Sequence, residues 1–114
     1  MKTVALSIMC GIGGLVLGAM VGFLLWFFVT LFIEAGHGTY FPAKLLFPYT
    51  IAATRWTHEI TATSIVAGYV LYSAYGLVLG LALPTSQRKK VSAIIGAIHA
   101  IAFVACLALA DSGF

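Results

Sequence analysis

Charge is what this chain has least of: six Lys or Arg and three Asp or Glu in 114 residues, 8% against 62% hydrophobic. A soluble domain carries about 25% charged residues. With a mean hydropathy of +1.11, a water-soluble fold would have to expose large apolar patches, which monomers avoid. The formal charge of +3 is spread along the chain, so there is no basic face for nucleic acid. Cysteine is scarce too. Cys10 and Cys106 fall in separate apolar runs, and their expected depths in a membrane differ by well over ~10 Å. Bridged Cα atoms lie within about 7 Å, so two free thiols are expected.

Catalytic signatures are also missing. The sequence holds no G-x-x-x-x-G-K-[ST], no G-x-S-x-G and no C-x-x-C. His58-Glu59 resembles the start of H-E-x-x-H, but Ala62 stands where the second His is needed, which excludes that zinc site. No apolar run holds the buried carboxylate of a small proton-coupled exporter. The expectation is a protein that is not an enzyme, with no catalytic residue and no metal.

Long apolar runs are what the chain has in abundance. A crossing takes about 20 apolar residues. Residues 4–33 carry no charge and exceed that length. A secretory signal is the rival reading, but its apolar core spans only about 7–15 residues, so the first segment is read as retained. Residues 60–83 form a second crossing closed by Pro84, and 91–110 a third closed by Asp111-Ser112-Gly113. The fold expected is all-α: one integral membrane domain, 1–114, of three transmembrane helices with an irregular or interfacial segment at 34–59.

The turn 84–90 holds Arg88-Lys89-Lys90, half of the chain's basic residues. Short basic loops stay in the cytoplasm, and Lys2 falls on the same side. That places the N-terminus inside and the C-terminus outside, with a cell inner membrane as the expected location. Residues 34–59 contain Pro42 and Pro48. Their apolar part is too short to span, so it is an interfacial cap, a re-entrant segment or an extension of the second helix. A cap on the outer face is favoured.

Four features are candidates for function. Gly11, Gly14, Gly18 and Gly22 in the first crossing, Gly76 and Gly80 in the second, and Ser92, Gly96 and Ala100 in the third are small residues at helical spacing. In lipid, helices associate by close backbone approach, which such residues permit. They pack either against one another or against other membrane subunits or a second copy. His99 and Tyr72 both fall near mid-membrane, where an ionisable residue is a functional candidate. The bland alternative is a neutral His99 hydrogen-bonded to Tyr72, Ser73 or Tyr69. Glu34, His37, Arg55, His58 and Glu59 gather on the outer side, as a solvated rim or a site for a polar headgroup. Phe23, Trp26, Phe27, Phe28 and Phe32 crowd the outer half of the first crossing, either as plain packing or as the wall of an outer crevice.

The function expected is a small non-catalytic accessory or anchor subunit of a larger membrane complex, packing through glycine-rich faces. Lipid and other membrane subunits are its partners, and no cofactor is required. Two alternatives stand beside it. One is a haem b- or quinone-binding anchor using His99 with Tyr72, or His58 with Arg55. The other is an immunity-type protein against a pore-forming toxin.

Overall fold

In the computed structural model, which describes residues 2–32 and 40–110, the chain is all-helical. Three helices are long and apolar enough to cross a membrane: α1 (Lys2–Phe32), α5 (Ala62–Ala82) and α6 (Arg88–Leu109). Three short ones lie between the first two: α2 (Phe41–Leu46), α3 (Pro48–Ala52) and α4 (Thr54–Thr57). The long helices have apolar residues all round, so burying a stripe in water could not satisfy them. Lipid does, and it leaves Met9, Phe28, Ile101 and Val104 more than three-fifths exposed.

α1 and α5 are antiparallel and packed backbone to backbone. A Cβ at Gly14 would collide with the Gly76 carbonyl, and one at Gly76 with the Gly14 carbonyl. Gly18 abuts the Tyr72 carbonyl, and Gly80 that of Cys10. Gly22 meets the Tyr72 side chain, where a Cβ would stand 3.1 Å from the Tyr72 Cβ. Gly11 receives Leu81, whose Cδ2 would come within 2.6 Å. Only residues without side chains let two helix axes approach so closely, and dispersion then acts over their full length. The register puts Lys2 at the same end of the molecule as Arg88.

α6 is held differently. It rests chiefly on α3 rather than on α1 or α5, and Cys106 is its one buried residue. The small residues expected to pack this helix do not: Ser92, Gly96 and Ala100 are exposed, and no atom lies within 4 Å of where a Gly96 Cβ would sit. The small-residue pattern of α6 matches that of α1 and α5, but the wedge between the helices, not a neighbouring glycine, sets its distance.

That wedge is α2–α4. Pro42 stands in the first turn of α2 and Pro48 begins α3. Proline disfavours the helical region for the residue before it, and Phe47 accordingly stands at φ −129°, ψ 59° between the two helices. The Phe47 ring is fully buried, edge-on to Trp26 at 4.9 Å and to Tyr72 at 5.3 Å. Around it Val29, Ala43, Ile51 and Cys106 complete the core. Gly68 makes room, since a Cβ there would lie 2.8 Å from the Phe47 ring. The Thr50 hydroxyl donates to the Ser64 carbonyl at 2.7 Å, fastening α3 to the first turn of α5. Phe41 meets Phe103 edge-on at 5.9 Å, fastening α2 to α6. The segment between the first two crossings is therefore built into the bundle. Its α2–α3 junction reaches the level of His99, the twelfth of 22 residues in α6.

Two boundaries move. Arg88, Lys89 and Lys90 form the first turn of α6 instead of a loop, because the turn is completed by Pro84 to Gln87. Arg55 and Glu59 do not share a helix: α4 stops at Thr57, and His58 turns left-handed at φ 58°. The Thr57 hydroxyl donates to the Glu59 carbonyl at 2.6 Å across that turn. Thr61 then caps α5 by accepting from the Ser64 amide at 3.2 Å.

Candidate functional site

The break at Pro48 leaves the last carbonyls of α2 without the amides that a continuous helix would supply. They lie level with His99, half-way along α6, and an unpaired carbonyl among apolar helices costs several kcal/mol. Two spanning helices provide the donors. The Tyr72 hydroxyl of α5 donates to the Leu46 carbonyl at 2.6 Å. His99 Nε2 of α6 donates to the Leu45 carbonyl at 2.7 Å. A carbonyl only accepts, so Nε2 carries a hydrogen. Nδ1 is hydrogen-bonded to the Tyr75 hydroxyl at 3.1 Å.

Both nitrogens of His99 are thereby engaged. Tyr72 and His99 stand close, with ring centroids 6.5 Å apart, but each bonds its own carbonyl. The hydroxyl partner of His99 is Tyr75, which the sequence reading did not consider. The reason is geometric: Tyr72 faces Phe47 and Leu46 on the wedge, and Tyr75, one turn nearer the basic end, turns to α6. Ser73 is also used elsewhere, donating to the Tyr69 carbonyl at 3.1 Å. Leu45 and Leu46 were missed because their part is played by backbone atoms. The sign that could have found them was Pro48, which leaves such carbonyls open.

This arrangement is a structural clamp. To ligate a haem iron, His99 would have to give up one of its two bonds. Among the described residues no group of three His, Cys, Asp or Glu gathers as a metal site would require. Arg55, His58 and Glu59 are exposed at the end opposite the basic turn. Glu34 and His37, the rest of that expected cluster, lie outside the described residues. Cys10 is half-buried and Cys106 buried, and both are free thiols.

Beside the clamp runs an apolar groove of about 630 Å³ between α1, α5 and α6. It is lined by Cys10, Gly13 and Val21 of α1, Tyr72 of α5 with Leu83 just beyond its end, and Ile95 of α6, among others. A second hollow of about 460 Å³ adjoins it at Tyr72, Tyr75 and Ile95 and is bordered by Gly96, His99 and Phe103. The groove exists because the wedge props α6 away from α1 while the glycines of α1 and α5 leave its floor low. No family model, no curated protein and no solved structure matches this chain, so a functional reading rests on this geometry.

Proposed function

We propose that the chain is a small non-catalytic accessory or anchor subunit of a larger membrane complex. The carrying observation is the state of α6: it leans on the wedge and leaves Ser92, Gly96 and Ala100 uncovered, with nothing within 4 Å of a Gly96 Cβ. In lipid, bare small residues offer a second helix close backbone approach. The glycines of the α1–α5 seam are already occupied within the chain, so α6 is the face for another subunit.

The orientation proposed puts Lys2 and Arg88-Lys89-Lys90 in the cytoplasm, by the bias of short basic loops, with the C-terminus on the other side of a cell inner membrane. The antiparallel register supports it by placing those four cations at one end.

The test is recovery from native membranes in a gentle detergent, with mass spectrometry, comparing the natural chain with Gly96→Leu. The reading predicts a defined integral membrane partner that the Leu variant loses while staying folded. Recovery of the chain alone and monomeric contradicts it.

A further inference from the structure

We infer that the α1–α5–α6 groove is a binding site for one anionic phospholipid, its acyl chain in the groove and its headgroup among Lys2, Arg88, Lys89 and Lys90. This is independent of any protein partner. Three observations meet. The first is length: from Cys10 to Val21 the groove follows twelve residues of α1, or ~16 Å at the helical rise. That is about half of a ~30 Å hydrocarbon core, one leaflet deep. Tyr72 and Tyr75 end it, with the wedge behind them.

The second is lining. The groove walls are apolar, and Gly13, Gly14, Gly18, Gly76 and Gly80 keep its floor low, so a hydrocarbon chain can lie along it.

The third is charge. The groove runs toward Leu83 and Cys10 at the basic end, five residues before Arg88. Lys2, Arg88, Lys89 and Lys90 are all exposed there, and the first turn of α6 holds no acidic residue. Glu59, the one carboxylate among the described residues, stands at the opposite end. Four cations without a carboxylate, beyond the Cys10–Leu83 end of a one-leaflet apolar groove, complement a phosphate headgroup with its chain attached. Basic residues beside clefts between membrane helices recognise anionic lipid by this combination.

The experiment uses the full chain in vesicles of equal parts phosphatidylglycerol and phosphatidylcholine with matched acyl chains. After mild extraction, native mass spectrometry counts the lipid that stays bound. One phosphatidylglycerol should be retained in preference to phosphatidylcholine. Lys89→Gln with Lys90→Gln should weaken that preference roughly fivefold per cation. Gly13→Leu, whose Cβ would meet no atom within 4 Å, should fill the groove and displace the lipid while the helical circular dichroism is unchanged. Equal retention of the two lipids overturns the proposal. So does undiminished retention by Gly13→Leu, because the cations would then be acting on the bilayer surface with no chain in the groove.

Discussion

His99 Nε2 holds the backbone carbonyl of Leu45 at 2.7 Å across 54 residues of sequence. The bond joins the last crossing to the wedge at mid-length, where α6 has few other attachments. Its stability effect should be that of a membrane hydrogen bond. His99→Phe leaves the Leu45 carbonyl unpaired and should destabilise the fold by about 1–2 kcal/mol. Tyr75→Phe should cost about half as much. The double variant should cost less than the sum, because one bond is shared. Reversible unfolding in bicelles measures all three.

Adjacent glycines in α1 should behave in opposite ways. Gly14 touches the Gly76 backbone, whereas Gly13 faces open groove. Gly14→Leu must push α1 and α5 apart and should cost at least about 3 kcal/mol, the upper end for overpacked cores. Gly13→Leu should stay within about 0.5 kcal/mol of the natural chain. Thermal unfolding in detergent distinguishes them, and equal effects would contradict the seam.

Phe47 is the keystone of the wedge, fully buried between Trp26 and Tyr72. Phe47→Ala should cost about 3–5 kcal/mol and loosen α6 more than α1 or α5. Hydrogen exchange should rise first in α6 and in residues 41–57. Uniform loosening of all three crossings would show that the wedge is not what holds α6.

The three crossings were legible because lipid demands about 20 apolar residues and the chain has three such runs. The contacts of Gly14, Gly18, Gly76 and Gly80 concern residue types whose small size has one evident use in lipid. Gly96 and Ala100 show the limit of that reasoning: the same spacing in α6 packs on nothing in the chain, because a third element decides its distance. The wedge was hard to read because its apolar part is short and its hydrogen bonds run through backbone carbonyls. Pro48 marked the break, but only the fold shows that Tyr72 and His99 satisfy it. The partner of His99 was misplaced by one helical turn, from Tyr72 to Tyr75, because residue counting fixes depth along a helix more closely than direction around it.

The central structural claim is that the α2–α3 junction sits at mid-membrane, bound by the two spanning helices. Leu45 is exposed to lipid beside that junction, so Leu45→Cys carries a nitroxide without entering the core. Power-saturation electron paramagnetic resonance in vesicles reads its depth from the ratio of oxygen to nickel-chelate collisions. The structure predicts high oxygen and low nickel access, as for a label at Ile98 in the middle of α6. Access typical of the headgroup region would place the segment on the membrane surface and contradict the account.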